Sequence, residues 1–265
     1  MHNAAFAAAA IDGEYVLREL DEAEVPGAVA AARGPDFFGL GVTAPYKPLV
    51  AALVDEVEPD AAAIGAVNNV VRKDDGRLVG INTDAPGFRA GVELAMGRPL
   101  DDDLEVVVVG AGGVARAIVS ECLNVRRLMV ANRTPATALA LLTRYGQAAR
   151  AGRAATGLDA PEFQAALGRA DLVVNATTVG MIDSGLPFPV DRLRADATVF
   201  DCVYVPAETP LLAAARGRGL RAVNGSEMLI AQAAIAFERW TGVGGMAGVM
   251  RAAVAPLLAD VALPA

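Results

Sequence analysis

Short apolar runs alternate along this chain with longer stretches in which apolar positions recur three and four residues apart, so strands are expected to alternate with amphipathic helices. In the first third, residues 3–11 and 22–33 read as helices, 15–19 as extended chain and 37–42 as a strand, followed by helices over 49–57 and 60–64. Two further apolar runs, 67–72 and 77–81, flank Asp74-Asp75-Gly76, a hairpin turn signal. A helix over 86–96 leads into Gly97-Arg98-Pro99 and the acidic run Asp101-Asp102-Asp103, punctuation that marks a domain boundary.

The stretch from Glu105 to Thr134 is more specific. The valines 106–109 stop at Gly110-Ala111-Gly112-Gly113, a helical pattern starts at once, and a second apolar run from Leu128 to Ala131 ends on Asn132-Arg133-Thr134. Strand, glycine turn, helix and strand of this size make a dinucleotide-binding βαβ unit. Gly110 permits the tight turn, Gly112 lets backbone N–H groups approach a pyrophosphate, and Ala115 is the third small position, where helix packs on strand. The helix N-terminus adds partial positive charge for the phosphates. An NAD site places an acid about 20 residues past the glycines to bond the ribose hydroxyls. Asn132 and Arg133 stand there instead, with no acid nearby. A carboxylate would repel a 2′-phosphate, whereas a guanidinium binds it through charge-assisted bonds, so NADP(H) is the expected cofactor.

Beyond Thr134 the pattern continues with a helix to residue 145, Pro135 in its favourable first turn, then strands over 172–176 and 198–203, a helix over 210–218 and a strand over 221–223. Two alanine-rich helices, 226–240 and 246–261, close the chain. The class is α/β, in two domains with a cleft between them, and ligands of open α/β sheets bind at the carboxyl ends of the strands.

Composition narrows the partners. The 265 residues are 54% hydrophobic, but much of this is alanine, and no apolar run reaches the ~18 residues of a membrane span. Residues 4–11 are apolar with no Lys or Arg ahead of them, a poor signal peptide. A net charge of −8 speaks against nucleic acid and anionic membranes. One histidine and two cysteines are too few for a His/Cys zinc site, and Cys122 and Cys202 read as buried thiols of a reducing compartment, the cytoplasm.

A nicotinamide cofactor supplies the hydride, so the protein must supply an acid/base. His2, at the start of the sequence, is a poor candidate. Lys47 follows the apolar strand in Gly41-Val42-Thr43-Ala44-Pro45-Tyr46-Lys47, and Asp84 follows another in Asn82-Thr83-Asp84. Both sit at strand carboxyl ends, where a Lys–Asp pair can pass a proton to or from a substrate oxygen. A solvated lysine at a helix start and an N-cap aspartate are the plainer alternatives.

These segments resemble the shikimate dehydrogenase family. GVTAPYK is similar to its substrate-binding NVTxPxK segment, IGAVNN to GAVNT, and INTDAPG to NTDxxG. GAGGVARA and NRT are similar to its NADP loop and strand end, and NATTVGM, FDCVYVPAETPLL and NGSEMLIAQAAIAFERWTG to its later landmarks. The resemblance implies reversible NADP-dependent reduction of 3-dehydroshikimate to shikimate, in chorismate and aromatic amino acid biosynthesis. It implies a substrate-binding and catalytic domain from residues 1–84 with 226–265, and a Rossmann-type NADP-binding domain from 85–225. By family position, Lys47 and Asp84 form the catalytic pair, and Thr43, Asn68, Tyr204 and Gln232 bind substrate. Gly110, Ala111, Gly112, Gly113 and Val114 match the pyrophosphate loop; Asn132, Arg133 and Thr134 match the adenosine phosphate site. Cys202 and Gly225 fall where family backbone groups meet the nicotinamide. The implied partner is a small molecule, with no nucleic acid, membrane or metal, and the chain is expected as monomer or homodimer.

The sequence departs from the family at several points. Gly41 stands where Asn is usual, Asn69 where Thr is usual, and Ala85-Pro86 alters the turn after Asp84. Thr137 holds a place that is often basic, leaving Arg133 as the main cationic contact, and Ser226-Glu227 replaces a Leu-Gly pair. The family also carries a first strand and a carboxylate-binding serine pair ahead of its MHNAAF-like segment, with no counterpart in this sequence. Either that segment lies upstream, or another device binds the acid. Quinate or an amino analogue as substrate, and a catalytically impaired NADP-binding paralogue, are the alternative expectations.

Overall fold

The structure, a computed structural model, describes residues 1–259. It forms two compact units: Met1–Gly87 with Ile230–Ala255, and a second whose body is Phe88–Leu229. In chain order the elements are α1 (His2–Ala8), α2 (Val25–Ala31), β1 (Gly39–Gly41), α3 (Lys47–Ala51), β2 (Glu56–Val57), α4 (Pro59–Ile64), β3 (Asn69–Arg72), β4 (Leu78–Ile81) and α5 (Asp84–Met96). They continue with β5 (Glu105–Val109), α6 (Gly113–Glu121), β6 (Arg127–Ala131), α7 (Pro135–Arg144), β7 (Arg153–Thr156), α8 (Pro161–Leu167), β8 (Leu172–Asn175), β9 (Thr198–Asp201), α9 (Pro210–Gly217), β10 (Arg221–Asn224), α10 (Ser226–Thr241) and α11 (Ala247–Ala259).

The first unit is built on a four-stranded sheet in the order β1-β3-β4-β2. β3 and β4 form the expected hairpin, turning at Gly76 with φ +82°, a conformation that favours glycine. β1 pairs antiparallel with β3, so Gly41 lies directly opposite Asn69. Val25, Val29, Val50, Val67, Val70 and Leu78 pack together in one buried cluster. Around Trp240 a second group gathers Val71, Val79, Ile81 and Tyr15. The Trp240 indole N–H donates to Val70 O at 3.0 Å, satisfying a donor that burial would otherwise leave unpaired.

The second unit holds a six-stranded, all-parallel sheet in the order β10-β9-β8-β5-β6-β7. Numbered within the unit this is 3-2-1-4-5-6 read from the β7 edge, the doubly wound order, with the reversal between β5 and β8. Alternate residues face opposite sides of a strand. Val106 and Val108 therefore pack with Phe88, Ile118 and Leu142, while Val107 and Val109 pack with Phe163, Leu167 and Leu211. Both faces are buried, which is why these strands read as unbroken valine runs.

The elements differ from the expectations at several places. The stretch expected as a helix over 49–57 divides into α3 and β2. The division falls at Asp55, whose carboxylate accepts the Leu78 N–H at 2.7 Å and pairs with Arg33, steering the chain beside β4. β7 and α8 were not anticipated: Arg-Ala-Ala-Thr carries little apolar signal for a strand at the sheet edge. The final helix begins at Ala247, and residues 260 and 261 of its expected span lie outside the described residues. Among the described residues no helix is long and apolar enough to cross a membrane.

Candidate active site

In the first unit three strand ends converge. Val42 N–H donates to Asn68 O at 2.8 Å, and Asn68 N–H donates to Ile81 O at 3.1 Å, so the residue preceding β3 is tied to the ends of β1 and β4. Lys47 follows β1 and Asp84 follows β4, and the two meet: Nζ lies 2.6 Å from Asp84 Oδ2. Their side chains are 20% and 14% exposed, part-buried yet reachable.

Asn68 holds the second carboxylate oxygen. Its Oδ1 accepts the Thr83 backbone N–H at 2.8 Å, which fixes the amide orientation, and its Nδ2 donates to Asp84 Oδ1 at 2.8 Å and to Thr83 Oγ1 at 3.1 Å. Both amide hydrogens are thereby used inside the protein. Thr83 is 1% exposed and forms the hub of the cluster, since its hydroxyl also accepts from Asn69 Nδ2 at 2.9 Å and donates to Gln232 Oε1 at 3.2 Å. Lys47, Asn68, Asp84 and Gln232 are thus brought together. Thr43 is exposed on the loop after β1, its hydroxyl turned to Ala44 O. Tyr204 belongs to the second unit and is 36% exposed. Thr83 was missed as a site residue; its signal was its place between two strand-end polar residues in Asn82-Thr83-Asp84. His2 lies apart from the cluster, stacked on Tyr15 at 4.4 Å, and burial and the nearby terminal amine lower its pKa to about 4.

In the second unit the glycine turn sits at the carboxyl end of β5, where the strand order reverses. Gly110 has φ +110°, and a Cβ there would stand 2.9 Å from Ala176 O, so both conformation and space call for glycine. Gly112 and Gly113 face open space, with nothing within 4 Å of an added Cβ. The first turn of α6, with Ala115 buried against the sheet, therefore offers its free N–H groups to an anion. Asn132 Nδ2 donates to Thr134 O at 3.0 Å. Arg133 is exposed and forms no ion pair among the described residues, so its charge is available to a phosphate. An open glycine turn beside an uncompensated guanidinium fits NADP. Gly225 packs its Cα on the Cys202 carbonyl, too close for a side chain.

A buried polar network, not anticipated from the sequence, holds the loops after β8 and β9. Asp201 is fully buried and accepts from Asn175 Nδ2 at 2.8 Å, Val203 N at 3.1 Å and Thr209 Oγ1 at 2.7 Å. Burial without a cation raises its pKa, against the pull of those donors.

A doubly wound parallel sheet with a glycine turn at its switch point defines a dinucleotide-binding oxidoreductase fold, here with an α/β unit that carries a Lys–Asp pair. The "Shikimate dehydrogenase substrate binding domain" profile matches residues 1–70, "Shikimate / quinate 5-dehydrogenase" residues 97–182, and "Shikimate 5'-dehydrogenase C-terminal domain" residues 225–255. The shikimate dehydrogenase (NADP(+)) of Rubrobacter xylanophilus is 41% identical over 263 residues, covering 96% of this chain and 89% of that protein. The shikimate 5-dehydrogenase of Thermus thermophilus, solved with NADP(H) and shikimate, superposes with a TM-score of 0.83 at 35% identity, covering 96% and 92% of the two chains. The quinate dehydrogenase of Corynebacterium glutamicum, solved with NAD, gives 0.84 at 35% identity over the same shares. The chain belongs to the shikimate dehydrogenase family.

Proposed function

We propose that this protein reduces 3-dehydroshikimate reversibly to shikimate with NADPH, using Lys47 and Asp84 as its catalytic pair. The observation that carries the assignment of roles is the 2.6 Å contact between Lys47 Nζ and Asp84 Oδ2 inside a cluster of satisfied polar groups. NADPH, when bound, supplies the hydride. Asp84 holds the Lys47 ammonium in place, and Asn68 holds Asp84. An ammonium has three donors, so with one on Asp84 the others face a substrate oxygen, and a proton on Nζ is passed to that oxygen as the ketone becomes an alcohol. In the reverse direction Nζ takes the proton back.

Gln232 and Thr43 are assigned to substrate hydroxyls and Tyr204 to the substrate as well, since short polar side chains read a polyhydroxylated ring by leaving a costly unpaired group when an analogue lacks its hydroxyl. Gly110 to Val114 would hold the pyrophosphate, Asn132 to Thr134 the adenosine phosphate, and the backbones of Cys202 and Gly225 the nicotinamide. In these assignments the first unit is the substrate domain and the second the cofactor domain. Cys122 and Cys202 are not joined in a disulfide, which supports a reducing cytoplasmic compartment. Quinate is the second reading, favoured by Gly41, which leaves the β1 end without a polar side chain of its own. Steady-state assays over shikimate, quinate and aminoshikimate, each with NADP⁺ and NAD⁺, test the reading; turnover of quinate alone would replace it.

A further inference from the structure

Two loops at the carboxyl end of the parallel sheet are fastened to one carboxyl group. Asp201 ends β9 and is fully buried. Its Oδ1 accepts from Asn175 Nδ2 at 2.8 Å and from the Val203 N–H at 3.1 Å, and its Oδ2 accepts the Thr209 hydroxyl at 2.7 Å. One oxygen thus ties the turn after β9 to the end of β8, and the other draws in the far end of the same loop, eight residues on. Thr209 Oγ1 in turn accepts the Leu212 N–H at 3.3 Å and caps α9.

Asn175 extends the tie to both sides. Its Oδ1 accepts the Thr177 N–H at 3.1 Å and the Thr177 hydroxyl at 2.7 Å, which sets the amide orientation and winds the loop after β8 round this side chain. Ala176 and Thr177 lie against the glycine turn, for a Cβ at Gly110 would stand 2.9 Å from both Ala176 O and Thr177 Cγ2. Beyond Asp201, the Gly225 N–H donates to Val203 O at 3.2 Å, and Gly225 packs on the Cys202 carbonyl. Direct contacts therefore run from Gly110 through Thr177, Asn175, Asp201 and Val203 to Gly225, all within the second unit.

We infer that Asp201 is a positioning residue for hydride transfer: it holds the Cys202–Val203 backbone, assigned to the nicotinamide, in register with the Gly110 turn, assigned to the pyrophosphate. The inference rests on those cofactor assignments. A carboxyl group buried among neutral donors is costly to place, and an apolar side chain would fill the space at less cost. What the carboxyl group adds is two oxygens that accept from three directions at once, which no apolar side chain reproduces. The nicotinamide ring must meet the substrate carbon within a few tenths of an ångström, so the register between the two ends of the dinucleotide bears on the rate of the chemical step.

The test separates alignment from folding. Single-turnover hydride transfer from saturating NADPH to 3-dehydroshikimate is followed in the unmodified protein, Asp201→Ala, Asp201→Asn and Thr209→Val. Alongside it, calorimetry measures the affinity for 2′,5′-ADP, a fragment that carries the adenosine phosphate and lacks the nicotinamide. Asp201→Ala should slow hydride transfer by ~10- to 100-fold, the scale of a misplacement near 1 Å, with 2′,5′-ADP affinity unchanged. Asp201→Asn keeps Oδ1 for Asn175 and Val203 and offers Nδ2 to Thr209 Oγ1, so it should recover most of that rate. Thr209→Val keeps the volume and severs only the Oδ2 contact. Its rate should fall between the other two, and it carries the test should Asp201→Ala not fold. The positioning role alone would be overturned by unchanged hydride transfer in Asp201→Ala or Thr209→Val, by a loss of 2′,5′-ADP affinity as large as the loss of rate, or by an Asp201→Asn as slow as Asp201→Ala. No hydride transfer by the unmodified protein would overturn the reading beneath it, and the positioning role with it.

Discussion

Lys47 and Asp84, 37 residues apart in sequence, are joined by a 2.6 Å contact between Nζ and Oδ2. The contact exists because each residue follows a strand whose end is tied to Asn68, Lys47 after β1 and Asp84 after β4. Asn68 then clamps the free carboxylate oxygen, so the carboxylate is held on both sides.

If this pair moves the proton, Lys47→Ala should lower turnover by ~10²-fold or more with NADPH affinity nearly unchanged. Asp84→Asn should act similarly, and the double variant should lose much less than the product of the two, because the residues work as a unit. Single-turnover rates with 3-dehydroshikimate measure this; near-normal turnover in either single variant removes that residue from the mechanism.

Thr83→Val keeps the volume of the hub but deletes the hydroxyl that serves Asn68, Asn69 and Gln232. Leaving buried amides unpaired should destabilise the first unit by ~1–3 kcal/mol. Turnover should fall as well, since Asn68 loses one of the bonds that orient it toward Asp84. Denaturant unfolding alongside kcat checks both; unchanged stability would mean that solvent takes over the role of the hydroxyl.

Arg133 is exposed and without an ion pair among the described residues. Arg133→Ala should weaken NADP binding by ~1.5–3 kcal/mol and spare NAD. With Thr137 offering no second cation, the unmodified preference for NADP should be modest. Calorimetric titration with both dinucleotides decides it, and equal affinity of the unmodified protein for the two would remove Arg133 from cofactor selection.

Asp201 gives the second unit a pH dependence of predictable sign. Its folded-state pKa is raised by burial, so the folded chain holds the proton more tightly than the unfolded one. The contribution to stability is fully present below the ordinary aspartate value, about pH 4, and is lost as pH rises through the raised value. Asp201→Asn should flatten that decline while keeping most of the loop contacts. Calorimetric melting over this range is the measurement; the same slope in both proteins would place the linked proton elsewhere.

The legible parts of this chain were those set by local pattern. The valines of β5, the glycine turn and the start of α6 follow one another directly, so period, turn chemistry and capping are all visible in a short window. The glycine turn of the second unit could be read for that reason, as could the basic residue after β6. The Lys47 and Asp84 candidacies were legible because strand ends are, although nothing local said that the two would touch.

Tertiary structure decided what depends on distant partners. Whether residues 49–57 continued as helix was settled by the Asp55 carboxylate meeting Leu78 N–H 23 residues on. The weakly apolar β7 is a strand only because β6 offers an edge. The Thr83 hub joins side chains up to 149 residues apart, and the Asp201 network joins the ends of two strands. By itself the sequence determined the periodicities, the turns and the residue types available for chemistry, because these act over a few residues. Which polar groups find their partners only the packed chain decides, because a hydrogen bond needs both partners within about 3 Å and burial away from competing water.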